Sequence, residues 1–141
     1  MKKFLVFLVF ILSISGVFAQ DRTYDYSEID LLVLEQENLA FTIDSHILIT
    51  GRVMSKYSNG TLRKEEFFQN GKRTGTRKWW YLNGQLGIEE NYLNNQKHGV
   101  LKHWHNNGSL ARLEQYDHGK LISNPEYWDS KGKVLKTPPV Y

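Results

Sequence analysis

The most constraining feature of this sequence is a repeat with a period of 24 residues, which keeps its register from residue 51 to residue 134 without an insertion. Self-similarity of this kind is the sequence signature of a repeat architecture, in which each unit stacks on its neighbours to build a continuous core. The columns in register are Gly51, Gly75 and Gly99; Asn59, Asn83 and Asn107; Gly60, Gly84, Gly108 and Gly132; Leu62, Leu86, Leu110 and Val134; Glu66, Glu90 and Glu114; and Phe68, Tyr92 and Tyr116.

The turn signals within one unit predict a β-hairpin. Asn-Gly at 59–60, 83–84 and 107–108 favours a type I′ turn between two antiparallel strands. The flanking stretches are rich in aromatic and β-branched residues and have the length of strands. A second turn is predicted at Asn70-Gly71 and its equivalents. The sequence therefore predicts an all-β fold, an elongated antiparallel sheet of stacked β-hairpins with negligible helix after residue 20.

The glutamate column has a structural interpretation. In the second strand of unit 1, alternation places Leu62, Lys64, Glu66 and Phe68 on one face. A ladder of like charges is costly unless cations lie beside it, and we expect pairing with Lys64 and, in the third unit, Arg112. Because Glu66, Glu90 and Glu114 recur in every unit, whereas catalysis needs one special pair, we predict that they are structural. No catalytic residue is predicted.

The N-terminal segment 1–19 is predicted to be a signal peptide. Two lysines precede the apolar run at 4–12, and Val17-Phe18-Ala19 fits the small-residue rule for cleavage before Gln20. The chain has no cysteine, which excludes disulfides, thiol catalysis and the lipid-attachment residue of a bacterial lipoprotein. Export without disulfides favours a bacterial protein that is periplasmic or secreted.

The mature chain divides into a predicted acidic cap and a basic repeat domain. Residues 20–50 carry seven acidic residues against one basic residue, and residues 51–141 carry 15 basic residues against eight acidic ones. We expect the cap to be a degenerate half-repeat, with strands at 31–34, 39–43 and 47–49. The repeat domain comprises unit 1 (51–74), unit 2 (75–98), unit 3 (99–122) and the partial unit 4 (123–141).

Four of the five histidines lie between residues 98 and 118. The spacing of His103 and His105 on one strand face is one that a metal ion can use. In the repeat register, however, they replace Trp79 and Tyr81, and no carboxylate or thiolate joins the histidines at ligand spacing in the sequence. We predict no metal site and no cofactor.

The aromatic residues are the feature best suited to binding. Their simplest role is to form the core of a thin sheet, which has little else to bury. A single-layer sheet buries only one face well, so an aromatic stripe left exposed is able to receive a partner protein or stack on sugar rings. The candidate binding residues are Trp79, Trp80, Tyr81, Trp104, Tyr127 and Trp128.

The stretch Trp80-Tyr81-Leu82-Asn83-Gly84-Gln85-Leu86, with Gly75 before it and Glu90 and Tyr92 after it, resembles the MORN repeat in its bacterial variant. The lead-in Thr50-Gly51-Arg52-Val53 is similar to that of bacterial YwqK-type antitoxins. The resemblance covers residues 50–134 and implies a single sheet of stacked hairpins, a role in protein interaction and no catalytic residues. The chain departs from the pattern at Lys56, Asn95 and His105.

Together these features favour an exported, non-catalytic scaffold that binds another protein of the cell envelope, with an antitoxin- or immunity-like role. The alternative is binding of a glycan or the cell wall through the aromatic stripe. An enzyme is disfavoured because the sequence lacks a nucleophile elbow and a phosphate loop. Nucleic acid is disfavoured as a partner because the basic residues alternate with glutamates. Membrane contact is expected only through the signal segment before cleavage.

Overall fold

A computed structural model describes residues 22–34 and 37–138, and the regular structure in these ranges is almost entirely β. Within them the one helical element is the short 3-10 turn Tyr26–Glu28. This confirms the predicted all-β fold. The predicted signal peptide and its cleavage site before Gln20 lie outside the described residues and stay a prediction. No helix in the described part of the chain is long and apolar enough to span a membrane.

The N-terminal cap contains three strands, β1 (Thr23–Asp25), β2 (Ile29–Leu34) and β3 (Glu37–Thr42). Strands β2 and β3 pair antiparallel as a separate sheet, with Ile29 opposite Thr42. The expected strand at 47–49 is reduced to a single bridge between Phe41 and Leu48.

Each complete unit contributes two long strands and a short third strand, which the hairpin prediction missed. The long strands have the predicted positions. The strands are β4 (Gly51–Lys56), β5 (Leu62–Gln69) and β6 (Lys72–Arg73) in unit 1; β7 (Gly75–Trp80), β8 (Leu86–Leu93) and β9 (Gln96–Lys97) in unit 2; β10 (Gly99–Trp104), β11 (Leu110–Asp117) and β12 (Lys120–Leu121) in unit 3; and β13 (Glu126–Trp128) and β14 (Val134–Leu135) in unit 4.

The units add edge to edge into one sheet with the order β1-β4-β5-β7-β8-β10-β11-β13-β14. From β4 onward, neighbours on this path pair antiparallel, as predicted. Strand β1 pairs parallel with β4, so the purely antiparallel prediction is wrong at this edge. The short strands β6, β9 and β12 each pair with the long strand that precedes them.

The turn at Asn59-Gly60 is not the predicted type I′. Only Gly60 has a positive φ, at 85°, and its amide donates to the carbonyl of Tyr57 at 2.9 Å. The amide of Tyr57 in turn donates to the carbonyl of Thr61, so the loop has three residues and ends on a left-handed glycine. The asparagine is used differently from the prediction, because its Oδ1 accepts the amide of Thr61 at 3.1 Å.

The type I′ conformation occurs instead at the second turn. Asn70 and Gly71 have φ of 48° and 75°, and Asn94 and Asn95 have φ of 49° and 69°. Asn95 replaces the expected glycine without loss of the turn, since asparagine tolerates the left-handed region. Its amide donates to the carbonyl of Arg73 in the preceding unit at 2.9 Å, so this turn ties neighbouring units together.

The buried core lies between the cap and unit 1. Ala40 and Ile49 from the cap pack with Val53 and Phe68 of the sheet, and all four are at most 5% exposed. The Lys64 ammonium also makes a cation–π contact with Tyr26 of the cap, with Nζ 4.5 Å from the ring centroid. The cap therefore closes one face of the sheet at unit 1.

Candidate functional site

The pairing register gives the two faces of the sheet different chemistry, because residues directly opposite each other project from the same face. We call the face that the cap covers at unit 1 the aromatic face and the other the charged face. One row across the aromatic face is Ser55, Lys64, Trp79, Ile88, His103, Arg112, Tyr127 and Leu135. The matching row across the charged face is Met54, Glu65, Lys78, Glu89, Lys102, Leu113 and Glu126.

The glutamate column is buried in the aromatic face, with Glu66, Glu90 and Glu114 at 0%, 5% and 2% exposure. Lys64 pairs with Glu66 at 2.8 Å, and Arg112 pairs with Glu114, as the sequence predicted. The structural interpretation of the column is consistent with this pairing, because each carboxylate is held by cations of its own or a neighbouring strand.

Cations from different strands also join one glutamate to the next. Arg73 donates through Nε to Glu66 at 2.9 Å. Arg77 lies 3.2 Å from Glu66 through Nε and donates to Glu90 through Nη1 at 2.6 Å. Burial by itself raises the pKa of Glu90, but Lys97 and Arg77 outweigh it and hold that pKa below its ordinary value. Glu66 and Glu90, with the cations between them, therefore form a continuous charge network that crosses from unit 1 to unit 2.

An open cleft of about 470 Å³ lies on the aromatic face. Side chains from three successive units line it: Trp79 and Tyr81 from unit 2, His103 and His105 from unit 3, and Tyr127 from unit 4. These five rings are half-buried, so their edges remain open to a ligand. The cleft is the candidate binding site.

A glycine positions the largest ring of the cleft. The pairing of β7 with β8 shifts between Trp79 and Trp80, which leaves Gly87 as the extra residue of a β-bulge. A Cβ atom on Gly87 would lie 2.5 Å from Trp79 Cε3 and 2.9 Å from Tyr81 Cε2. Trp79 therefore lies directly on the backbone and meets Tyr81 edge-on, with ring centroids 4.7 Å apart.

The other units show why glycine is needed only here. The residue at the Gly87 position is Ala111 in unit 3, where the Trp79 position holds the smaller His103. We expect Gly87→Ala to lower the free energy of unfolding by about 1–3 kcal/mol, because the added methyl displaces the indole. In the double variant Gly87→Ala/Trp79→His, which reproduces the unit 3 pair, the methyl should cost much less. Urea denaturation of the four proteins of this cycle measures the coupling, and strict additivity of the two changes would contradict the packing argument.

The Tyr81 column joins each unit to the next. Tyr57 donates through its hydroxyl to the carbonyl of Trp80 at 2.7 Å, and Tyr81 donates to that of Trp104 at 2.8 Å. His105 keeps the pattern, since its Nε2 lies 2.9 Å from the carbonyl oxygen of Trp128. The substitution of histidine for an aromatic therefore preserves the regular contact between units.

The structure separates the six candidate binding residues. Trp79, Tyr81, Trp104 and Tyr127 line the cleft, whereas Trp80 and Trp128 are not part of its lining and are half-buried elsewhere. Sequence reasoning treated the histidines of this region as substituted aromatics and did not select them for binding. Their place in the repeat columns is the signal that would have found them. The residues added to the cleft lining by the structure are Gly87, Ile88, His103, His105, Ala111, Arg112 and Pro138.

His103 gives the cleft a titratable group. Burial lowers its pKa below the ordinary 6.5, and the nearby Arg112 lowers it further. Because the folded-state pKa lies below the unfolded one, this group's contribution to stability is complete above pH 6.5 and is lost as the pH falls from there through the folded-state pKa. Titration of the His103 ring by NMR should give a pKa below 6.5. A value at or above the ordinary one would contradict the buried environment.

The prediction of no metal site stays a prediction. The fold does bring a carboxylate to two of the histidines, since Asp117 lies between His98 and His118 at the ends of β9 and β11. His103 and His105, the pair with the apparent ligand spacing, lie in the cleft.

Comparison with known proteins agrees with the repeat. A family model described as MORN repeat variant matches residues 49–70, 73–94 and 97–123, about half of the chain. The three matched stretches begin at intervals of 24 residues, the period of the sequence. No curated protein and no solved structure matches the chain.

Proposed function

Since this chain belongs to the MORN repeat variant family, a family of repeat scaffolds, we propose that it is an exported, non-catalytic scaffold that binds another protein through its aromatic cleft. The observation that carries the proposal is the cleft itself, in which half-buried rings from three successive units meet on one face of a single-layer sheet. Tyrosine, tryptophan and arginine dominate the energy of protein interfaces, and the cleft contains all three.

The contrast between the two faces supports this choice. On the charged face the row alternates in sign, with Glu65, Lys78, Glu89 and Lys102 on consecutive long strands. Charged residues are depleted at the centres of interfaces and aromatic residues are enriched there. The cleft on the aromatic face, where Arg112 is the one Lys, Arg, Asp or Glu of the lining, thus has the composition of an interface centre, and the charged face has that of a solvated surface.

The partner that we propose is another protein of the cell envelope, and the role is antitoxin- or immunity-like. This part of the proposal rests on the predicted signal segment and on the resemblance of the first unit to YwqK-type antitoxins. A test of export is direct: mass spectrometry of the protein from the periplasm or medium should find Gln20 at its N-terminus. An intact Met1 in that material would contradict cleavage.

A glycan is the second candidate ligand. Trp79 and Tyr81 offer ring surfaces in an open cleft, and sugar rings stack on such surfaces. A cleft variant and a control variant, tested in parallel on a glycan array and on the proteins of the envelope fraction, distinguish the two ligands.

The decisive variant replaces a cleft residue, Tyr127, by the residue that unit 1 has at the equivalent position of the repeat. Tyr127 shares its column with Ser55 of unit 1, so Tyr127→Ser introduces a side chain already used at that position. We expect the wild type to capture a defined envelope protein and Tyr127→Ser to lose it. The matched control is Lys102→Ser, on the charged face, which should retain capture.

Thermal melts of both variants establish that they are folded. Retention of the partner by a folded Tyr127→Ser, or its loss by Lys102→Ser alone, would contradict binding through the cleft. Binding only on the glycan array, with sensitivity to Tyr127→Ser, would establish the second candidate instead.

A further inference from the structure

A cluster of potential metal ligands lies at the junction of units 2 and 3. His98 follows β9, and Asp117 and His118 lie where β11 turns into β12. One ligand atom from each of the three residues lies within 4.8 Å of the other two. None of the three lines the aromatic cleft, so the cluster is separate from the proposed binding site.

One pair of ligand atoms in the cluster, from His98 and Asp117, already has the spacing of tetrahedral coordination, whereas the pair from His118 and Asp117 is at hydrogen-bond distance. The Asp117 Oδ1 atom lies 2.7 Å from His118 Nδ1 and 3.3 Å from His98 Nδ1. Bonds of about 2.0–2.1 Å at tetrahedral angles separate ligand atoms by about 3.3–3.4 Å. The three side chains are 43%, 56% and 62% exposed for His98, Asp117 and His118, which leaves an approach for an ion and its water.

The corresponding contact between the cap and the second turn of unit 1 shows what the fold itself requires. There Thr50 accepts the amide of Asn70 through its hydroxyl at 2.9 Å. At the junction of units 2 and 3 the same contact runs from the amide of His118 to His98 Nδ1 and is stretched to 3.5 Å. A threonine and an asparagine thus make the structural contact better than the two histidines do.

Three residues depart from the repeat together at this junction. The columns of His98, Asp117 and His118 hold Thr50, which directly precedes unit 1, and Gln69 and Asn70 at the second turn of unit 1. All three changes introduce a metal-ligating side chain, and the fold places the three in contact. Structural demands of the turn do not account for this, because the turn forms in the other units without them.

We propose that His98, Asp117 and His118 form a binding site for a single zinc-class divalent cation, with the remaining coordination position open to water. Two imidazoles and one carboxylate suit zinc, whereas Mg²⁺ and Ca²⁺ require more oxygen ligands than the cluster offers. Because the ligands come from two units, a bound ion cross-links them and stabilises the folded sheet.

Calorimetric titration of the mature chain with zinc chloride tests the site. We expect one Zn²⁺ per chain and no measurable binding of Mg²⁺ or Ca²⁺ at the same concentrations. The variants His98→Thr, Asp117→Gln and His118→Asn each introduce the residue of the unit 1 column, and each should weaken zinc affinity at least about tenfold. The control His46→Asn removes an exposed histidine of the cap that also has a positive φ, and it should leave the affinity unchanged.

A second readout separates loss of ligands from loss of structure. Zinc should raise the melting midpoint of the wild type and of His46→Asn but not that of the triple variant, while all of these proteins melt alike in metal-free buffer. Absence of saturable zinc binding by the wild type would overturn the proposal. Equal zinc affinity of the wild type and the triple variant would also overturn it.

Discussion

Replacement of Glu66 by glutamine is expected to lower the free energy of unfolding by about 3 kcal/mol. Removal of one member of a buried ion pair costs about 3–5 kcal/mol, because the partner charge stays buried without compensation. Glu66 is fully buried and faces Lys64, Arg73 and Arg77, whose side chains are 18%, 22% and 27% exposed. This residual exposure of the cations places the expected loss at the low end of the range.

The adjacent residue provides the matched control. Glu65 lies on the charged face and pairs at 3.2 Å with Arg52, whose side chain is 43% exposed. The Glu65 side chain is 16% exposed, but its partner is open to solvent, which screens the pair, so Glu65→Gln should cost about 1 kcal/mol at most. Urea denaturation measures both variants. Equal effects of the two substitutions would show that the buried charge network does not stabilise the sheet.

The second large effect is expected at Leu101. This side chain is 2% exposed and lies opposite Glu114 on the aromatic face of unit 3, beyond the apolar core under the cap. Truncation of a buried leucine to alanine costs about 2–5 kcal/mol through lost burial and the cavity that remains. A small domain has about 5–15 kcal/mol in total, so Leu101→Ala should strongly lower the urea midpoint.

Val100, the preceding residue, is the control for this position. It projects from the charged face and is 39% exposed, so Val100→Ala should change the free energy of unfolding by less than about 1 kcal/mol. If Leu101→Ala were as stable as Val100→Ala, unit 3 would have no buried core of its own, and the stacking of units would not be the source of its stability.

The repeat predicted the strands because its columns report burial directly. Glu66 and Phe68 recur two residues apart, and both are buried on one face as alternation requires. The turn types were assigned wrongly at Asn59-Gly60 because Asn-Gly suits either loop. In the observed three-residue loop, the Asn59 side chain accepts a hydrogen bond from the backbone amide of Thr61. The spacing of residues in the sequence does not reveal this hydrogen bond.

The cleft was less accessible to sequence reasoning for two physical reasons. The register of β7 with β8 shifts after Trp79, where the bulge at Gly87 inserts a residue into the facing strand, and strand periodicity in the sequence does not reveal this shift. The cluster of His98, Asp117 and His118 joins residues about 20 positions apart, and only the pairing of neighbouring units brings them together. The cap was predicted by composition, but its packing on Val53 and Phe68 depends on tertiary structure.

Site-specific photo-crosslinking tests the central claim, binding of a partner protein through the aromatic cleft, most directly. A benzophenone amino acid at Tyr127, in the cleft, and the same amino acid at Lys102, on the charged face, are compared in the exported chain in its own cells. The account predicts one crosslinked protein adduct from the Tyr127 position and none from Lys102. A crosslinked protein adduct from the Lys102 position, with none from the Tyr127 position, would contradict it.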